Sequence, residues 1–326
     1  MGEDRKQVNT SYGVIIIGGG PAGLTAGLYC ARSGFKSLLI EKGVMGGQIT
    51  YADRVENYPG FPQGISGLEL GQLMHKQAVR WELQTLLAEV TSLVPHISQP
   101  IKGVRRGDSF HRHLVSTSEG DFIADSVIIA SGSQFRKLMV PGEDEFAGKG
   151  VSYCATCDGP LFRDKAVGVI GGGDSALSEA IYLSRFASSV KVIHRRNQLR
   201  AGRALSQTAE MDPKIDFVWD SVVTRIEGDR VVNQLRLRNT KDDTISVLPA
   251  AGVFIAVGSQ PDTDYVQGII PLDKDGYIIT NEVMETEVAG ILAAGDVRHN
   301  SARQVICAAG DGATAAISVE RFLSSS

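Results

Sequence analysis

The feature that most constrains the fold is a glycine-rich motif that occurs twice, each time after an apolar β-branched run and before a helical pattern. The first copy, Gly18–Gly23, reads G-G-G-P-A-G, and the second, Gly171–Ala176, reads G-G-G-D-S-A. A strand, a glycine turn, a helix and a parallel strand form the unit that binds dinucleotides. The copies coincide at an offset of 153 residues. The sequence therefore predicts an α/β fold with two similar nucleotide-binding domains.

Three further apolar runs end in glycine and are typical of buried parallel strands: Val127–Gly132, Val253–Gly258 and Ile291–Gly295. The last run lies beyond the second glycine motif, so we expect it to return to the first domain. The prediction is two Rossmann-like three-layer domains, with the second inserted into the first. We place the first domain at residues 1–136 and 265–326 and the second at residues 137–264.

An acid and a basic cluster occupy the same register in the two units. Glu41 ends the second strand of the first unit, where a carboxylate can accept a hydrogen bond from a ribose hydroxyl of the nucleotide. The corresponding residue of the second unit is His194, followed by Arg195, Arg196 and Arg200. Cations suit the 2′-phosphate of NADPH, which an acid would repel. The first site thus favours FAD or NAD, and the alternative is a glycine-rich turn that binds no ligand. The second site favours NADPH, and the alternative is a basic turn at the protein surface.

The two sites together suggest a flavin and a nicotinamide, because hydride transfer then has a donor and an acceptor. The residues expected at the first nucleotide from its motif are Gly18, Gly20, Pro21, Ala22, Gly23 and Glu41. Those expected at NADPH are Gly171, Gly173, Asp174, Ser175, Ala176, His194, Arg195, Arg196 and Arg200.

The third motif is a C-x-x-C pair, Cys154 and Cys157, in a chain with four cysteines. This spacing brings two sulfurs within disulfide reach and favours redox chemistry, with a zinc site as the alternative. Asp158 follows directly and can serve as a proton carrier, or as a simple turn residue. Cys30 and Cys307 lie in apolar helical patterns, so we expect both to be small core residues.

Composition excludes several partners. The net charge is −4, which gives no reason to expect nucleic acid or an anionic membrane. No apolar run approaches the roughly 18 residues of a membrane span. The segment Met1–Ser11 is polar and has no apolar core of a signal peptide, so we expect a loose tail and a cytoplasmic protein.

The order of these motifs resembles that of the low-molecular-weight thioredoxin reductases of bacteria and archaea, in the pyridine nucleotide-disulfide oxidoreductase family. The likeness runs from about Tyr12 to Leu323, and its most specific part is C-A-T-C-D-G at Cys154–Gly159, just ahead of the second glycine motif. The resemblance implies a homodimer that passes electrons from NADPH through FAD and the cysteine pair. The expected acceptor is thioredoxin or a thioredoxin-like protein.

The resemblance also implies roles for particular residues. Cys157 would be the sulfur nearer the flavin, and Cys154 would attack the disulfide of the partner protein. The further FAD contacts that it implies are Gly47, Gln48, Asn57, Asp296, Arg303 and Gln304. The departures are mild: Asp174, Ser175 and Cys307 stand where the family more often has other small polar residues.

Four other activities are compatible with parts of the pattern. A flavin dithiol oxidase would use the cysteine pair but has no need of the arginine cluster. A ferredoxin– or flavodoxin–NADP reductase has no use for C-x-x-C. A ferredoxin-driven thioredoxin reductase should lack an intact NADPH loop, and a nucleotide-sensing redox switch would bind FAD without multiple turnover.

Overall fold

The structure is a computed structural model that describes residues 8–52, 54–97 and 112–325. The strands of this part of the chain are β1 (Val8–Ile17), β2 (Ser37–Glu41), β3 (Gln84–Leu87), β4 (Val90–Val94), β5 (His113–Thr117), β6 (Gly120–Ile129), β7 (Ser133–Phe135), β8 (Val151–Ser152), β9 (Ala166–Ile170), β10 (Ser189–Ile193), β11 (Ile215–Val218), β12 (Ser221–Gly228), β13 (Val232–Asn239), β14 (Ile245–Pro249), β15 (Gly252–Ile255), β16 (Ser259–Pro261) and β17 (Ile291–Ala293). The α-helices are α1 (Pro21–Arg32), α2 (Gly67–Val79), α3 (Ala155–Asp158), α4 (Asp174–Ser184), α5 (Arg203–Met211) and α6 (Val305–Ser325).

The chain divides into two compact units. The first comprises Met1–Gln134 and Gln260–Ser326, and the second comprises Phe135–Ser259. The chain passes from the first unit to the second within the short strand β7 and returns within the short strand β16. The sequence places the second crossing at 264/265, whereas the residues from Gln260 onward belong to the first unit.

The sheet of the first unit is organised around β6, which pairs in parallel with β1. Strands β2 and β3 extend the sheet in parallel beyond β1, while β4 and β5 form an antiparallel flank beside β6. Strand β17 pairs in parallel with the last residues of β6, Val127–Ile129. The expected return of the Ile291 run to the first unit is therefore what the fold contains.

Both faces of this sheet are buried, which explains its continuous apolar runs. Val14 and Ile16 pack against α1 and α6, whereas Ile15 and Ile17 belong to a second cluster on the opposite face. Alternation along the strand therefore divides one run between two cores. The carboxyl end of β1 is fixed firmly between these cores, and the first glycine motif starts there.

The second unit repeats this plan with a different cover. Its five parallel strands run in the order β11-β10-β9-β15-β8. Apolar residues of α4 pack on one face, including Ala176, Leu177 and Leu183. The antiparallel strands β12–β14 contribute to the core on the other face. The result is a three-layer α/β unit, as the sequence predicts.

The expected loose tail needs correction. Residues 8–11 belong to β1, which continues into the buried Tyr12, paired with Ala124 of β6. The polar sequence there gave no sign of a strand, because backbone pairing with β6 does not require apolar side chains. The remainder of the expected tail, residues 1–7, lies outside the described residues. None of the helices in the described ranges is long and apolar enough to cross a membrane.

Candidate active site

The first glycine motif joins β1 to α1 through a backbone that side chains would block. Gly18 has φ +109°, and a Cβ there would lie 2.2 Å from the carbonyl oxygen of Ala130. A Cβ on Gly23 would lie 1.8 Å from the Gly18 oxygen. At Gly20, by contrast, a Cβ would meet no heavy atom within 4 Å, so the surface there is open. Pro21 starts the helix, where its missing N–H costs nothing.

Glu41 is tied to this loop by its carboxylate. Its Oε2 accepts the Gly19 N–H at 2.6 Å, and its Oε1 accepts the Gly43 N–H at 2.7 Å. The acid predicted to face a ribose therefore stands beside the glycine loop. Ser131, Asp262 and other residues line a cavity with it.

A second loop lies against the first one. The Gly46 N–H donates to the Gly19 oxygen at 2.8 Å, and a Cβ on Gly47 would lie 3.0 Å from the Gly20 Cα. The side-chain amide of Gln48 donates to the Ser133 oxygen. Gly47, predicted only from the resemblance, thus lies against the glycine motif, and Gln48, predicted in the same way, contacts β7.

The remaining predicted flavin contacts form hydrogen-bonded groups. The Asn57 amide donates to Gln304 Oε1 at 3.0 Å, although the two residues are 247 positions apart. Asp296 Oδ1 accepts from the Ser301 hydroxyl at 2.9 Å, and burial raises the pKa of the Asp296 carboxyl. Arg303 donates to the Tyr277 hydroxyl at 2.9 Å and lies over its ring.

An ion pair that the sequence analysis missed supports Asp296. Arg298 binds both oxygens of Asp311, at 2.6 and 3.0 Å, and Asp311 also accepts the Gly295 N–H at 3.1 Å. Helix α6 thereby holds the backbone on both sides of Asp296. A Gly-Asp pair near the end of a strand offers no sequence signal for a carboxylate 16 positions later.

The second glycine motif repeats the first in the second unit. Gly171 has φ +151°, and a Cβ there would lie 2.5 Å from the Ala256 oxygen. Gly173 is open, since a Cβ added to it would meet no heavy atom within 4 Å. Ala176 is fully buried at the first turn of α4, and Ser175 is exposed. Asp174 Oδ1 accepts the Gly202 N–H at 2.7 Å, which ties the loop after β10 to the helix.

The basic cluster is divided between a buried histidine and exposed arginines. His194 is 4% exposed and lies under Gly172, and burial lowers the pKa of its imidazole. Arg195, Arg196 and Arg200 are exposed, and the Arg200 N–H donates to the Gly172 oxygen at 2.7 Å. The arginines therefore carry the positive charge at this loop, and the buried histidine packs against the loop backbone at Gly172.

The cysteine pair lies at the start of the short helix α3. Cys154 and Cys157 form a disulfide with Cα atoms 5.3 Å apart. The Cys157 N–H donates to Cys154 Sγ at 3.2 Å, and the Thr156 hydroxyl lies 3.3 Å from the same sulfur. A bonded pair favours the redox interpretation over the zinc one.

Asp158 follows the pair as the last residue of α3. Burial raises the pKa of its carboxyl, while a hydrogen bond from the Ser152 hydroxyl at 2.6 Å opposes that shift. Neither Ser152 nor Thr156 stands out in the sequence, because serine and threonine are common in strands and turns.

Glu143 is a further buried acid near the cysteines. It is 2% exposed and accepts from the Leu138 and Met139 N–H groups at 2.9 and 2.7 Å and from the Tyr153 hydroxyl at 2.8 Å. The residue before Cys154 is thereby fixed to the segment that enters the second unit.

The other two cysteines differ from each other. Cys30 is buried in α1, as expected, and its thiol has a pKa raised to about 12 by burial. Cys307 is exposed in the first turn of α6, so its assignment to the core is wrong. An alanine-rich helix has little contrast between its faces, and its sequence does not reveal which small residues face outward.

Comparison with known proteins decides the family. Residues 12–312 match the model of the pyridine nucleotide-disulphide oxidoreductases. A thioredoxin reductase from Streptomyces coelicolor is 45% identical, over 95% of this chain and 93% of that protein. This chain belongs to the thioredoxin reductase family. The crystal structure of a thioredoxin reductase from Streptococcus pyogenes matches 97% of this chain and 99% of that one, with a TM-score of 0.89 and 42% identity.

Membership makes the chain an FAD-dependent oxidoreductase that uses NADPH. The residues of the two glycine motifs and the arginine cluster fit FAD and NADPH. A side chain has no space at Gly18 and Gly23 of the first motif or at Gly171 of the second, whereas Gly20 and Gly173 leave the backbone open to a pyrophosphate at a helix start. The exposed arginines beside the second motif fit a 2′-phosphate.

Proposed function

We propose that this chain reduces the disulfide of thioredoxin, or of a thioredoxin-like protein, with electrons from NADPH. The observation that carries the proposal is the bonded Cys154–Cys157 pair followed by the half-buried carboxyl of Asp158. The same unit contains the arginines suited to NADPH. The similar proteins from Streptomyces coelicolor and Streptococcus pyogenes are thioredoxin reductases, which supports the choice of partner.

In this proposal the first unit is the FAD-binding domain and the inserted second unit is the NADPH-binding domain. The FAD contacts are Gly18, Gly20, Pro21, Ala22, Gly23, Glu41, Gly47, Gln48, Asn57, Asp296, Arg303 and Gln304. The NADPH contacts are Gly171, Gly173, Asp174, Ser175, Ala176, His194, Arg195, Arg196 and Arg200. The Asn57–Gln304 and Asp296–Ser301 hydrogen bonds support the first set, because they hold polar groups in fixed orientations.

The chemistry that FAD would supply when bound in the first unit is the transfer of two electrons from NADPH to the Cys154–Cys157 bond. The Cys157 N–H and the Thr156 hydroxyl then stabilise a thiolate on Cys154. That thiolate attacks one sulfur of the partner disulfide, forming a mixed disulfide and releasing one partner thiolate. Cys157 attacks Cys154 Sγ, which restores the original disulfide and releases the second partner thiolate.

Asp158 manages a proton in this cycle. Opening the cysteine disulfide with two electrons leaves two thiolates, and one of them takes a proton to become a thiol. A carboxyl whose pKa is raised by burial holds a proton closer to neutral pH than a solvated one. Asp158 adjoins Cys157 in the chain and can supply that proton.

The test measures anaerobic oxidation of NADPH by the flavin-loaded protein in the presence of thioredoxin and a coloured disulfide. We expect fast thioredoxin-dependent turnover with NADPH, loss of that turnover in Cys154→Ser and in Cys157→Ser, and no change in Cys307→Ser. Flavin that stays oxidised with NADPH would overturn the choice of donor. In a parallel aerobic assay, turnover with oxygen combined with none with thioredoxin would identify a dithiol oxidase instead.

The roles of the two cysteines are separable by trapping. Cys157→Ser should form a mixed disulfide between Cys154 and the partner that only the released partner thiolate can reverse, so acid quenching and alkylation should trap it. Cys154→Ser should not accumulate one. If the outcomes were exchanged, Cys157 would be the attacking thiol.

We also propose a cytoplasmic homodimer. Helix α2 has exposed apolar side chains at Leu68, Leu73 and Val79, with Trp81 just beyond its end, and exposed apolar side chains of this kind suit a contact with a second copy. A reducing compartment suits a protein whose Cys30 and Cys307 are free thiols. Sedimentation that gave the mass of one chain would overturn the dimer.

A further inference from the structure

The Ser152 hydroxyl connects the two ends of the redox motif. Ser152 is 4% exposed at the end of β8, and its Oγ lies 2.6 Å from Asp158 Oδ2. The same oxygen accepts the Cys154 N–H at 3.1 Å and lies 3.4 Å from the Cys154 carbonyl oxygen. One buried hydroxyl thus contacts the backbone of the first cysteine and the carboxyl after the second.

These contacts satisfy the hydroxyl in both protonation states of Asp158. A hydroxyl has one proton to donate and two lone pairs to accept with. When Asp158 is a carboxylate, Ser152 donates to it and accepts the Cys154 N–H. When Asp158 is protonated, its O–H donates to Ser152, whose own proton turns to the Cys154 carbonyl oxygen.

The surroundings leave Ser152 as the main influence that opposes burial. Helix α4, which packs against α3, carries the titratable residues Asp174, Glu179 and Tyr182. The segment just before the motif carries Glu143, Asp144, Glu145, Lys149 and Tyr153. The adjoining turn Gly159–Phe162 carries no titratable side chain. Burial raises the pKa of Asp158 and the Ser152 hydrogen bond lowers it, and no nearby charge contributes a resolved shift.

We propose that Ser152 is a positioning residue that orients the Asp158 carboxyl and sets the pH range in which Asp158 delivers its proton to the cysteine pair. The proposal rests on the function proposed above for Asp158. In the step, the Asp158 O–H bond breaks and an S–H bond forms on a thiolate of the pair. The electrons come from NADPH, and Ser152 stabilises the carboxylate that remains.

The first experiment compares Ser152→Ala and Ser152→Thr with the wild type in thioredoxin reduction across pH. A general acid works while protonated, so the rate falls as pH rises through its pKa. Ser152→Ala removes the donor to the carboxylate, and we expect the alkaline limb to move upward by about one pH unit. Ser152→Thr keeps a hydroxyl and should restore the wild-type limb.

Two controls isolate the effect. Ser184→Ala removes another largely buried hydroxyl of the same unit, which donates to the Ile181 oxygen, and should leave the profile unchanged. In an Asp158→Asn background, Ser152→Ala should no longer move the limb. A limb that moves there as well would show that another group is responsible and would overturn the proposal.

A second measurement does not depend on the partner protein. The infrared C=O stretch of protonated Asp158, identified by its loss in Asp158→Asn, is titrated in the flavin-loaded protein. We expect a higher midpoint in Ser152→Ala than in the wild type, and equal midpoints would overturn the proposal. A shifted midpoint in a protein that fails to reduce thioredoxin would instead mean that the proposed function is wrong while Ser152 still controls Asp158.

Discussion

The two glycine loops share one backbone plan and differ mainly in what supports it. Gly18 and Gly171 both have positive φ angles and both leave no room for a side chain beside a carbonyl oxygen, of Ala130 and Ala256. These alanines follow equivalent strands, β6 and β15. The geometry needed to bring backbone against a pyrophosphate is therefore repeated, and the nucleotide is distinguished elsewhere.

The difference lies at the end of the second strand of each unit. Glu41 accepts hydrogen bonds from Gly19 and Gly43, which hold its carboxyl group at the edge of the loop. His194 is instead buried under Gly172, and its lowered pKa favours the neutral ring. Charge in the second unit comes from the arginines that follow. One position thus provides charge in one loop and packing in the other.

The largest expected effect is on flavin binding, and it distinguishes substitutions at Gly23 and Ala176, which occupy equivalent positions in the two units. Gly23→Ala would put a Cβ 1.8 Å from the Gly18 oxygen, which only a backbone shift can relieve. We expect the variant to purify without bound flavin. Ala176→Gly should cost only about 1 kcal/mol and keep both nucleotides. Flavin absorbance per chain measures the outcome, and normal flavin content in Gly23→Ala would show that the two loops tolerate the same residues.

The next largest effect concerns the arginines. Removing Arg195 and Arg196 together should raise the KM for NADPH by roughly 100-fold or more, since each charge-assisted hydrogen bond contributes about 1.5–3 kcal/mol. The KM for NADH should change little, because NADH has no 2′-phosphate. Steady-state kinetics with both donors gives the ratio.

Arg238→Ala is the matched control for those kinetics. Arg238 is an arginine of the same unit, paired with Asp243 on the antiparallel sheet. Its removal should leave both KM values unchanged. Equal losses with NADPH and NADH in the double variant would mean that the arginines contact a part common to both nucleotides.

The sequence predicts these loops well because their requirements are local. Gly18 and Gly171 must be glycine for steric reasons, and the register to Glu41 and His194 follows from a strand, a turn and a helix of fixed length. Such constraints leave a regular pattern, and the fold class follows from its repetition.

The supporting contacts are not predictable in this way. Asp311 reaches Arg298 and Gly295 only because α6 packs beside the end of β17, and Asn57 meets Gln304 across most of the chain. Ser152 is an ordinary serine until β8 and α3 bring it to Asp158. A contact of this kind depends on tertiary packing, and a single sequence contains no sign of it.

The smallest expected effect concerns α1 and α4, where the repeat places Ala26 and Glu179 in the same register. Ala26 is fully buried, and Glu179 places a carboxyl at the equivalent position. The Oε2 atom of Glu179 is buried and has no hydrogen-bond partner among the described residues. Burial raises the pKa of Glu179 to about 7. The second unit therefore contains an ionisable group at a site where the first has only a methyl group.

The sign of the pH effect follows from this pKa. Between about pH 4.5 and pH 7 the folded state holds a proton that the unfolded state releases, so the free energy of unfolding falls as pH rises. Glu179→Gln removes the ionisation and should raise the free energy of unfolding at pH 8 by about 2 kcal/mol, with a gain that shrinks towards pH 4.5. Thermal unfolding midpoints at several pH values measure this gain in stability.

Glu210→Gln, at an exposed position of α5, is the control and should change the unfolding midpoint little at any pH. A gain from Glu179→Gln that is the same at pH 5 and pH 8 would mean that packing, rather than charge, distinguishes the two helices.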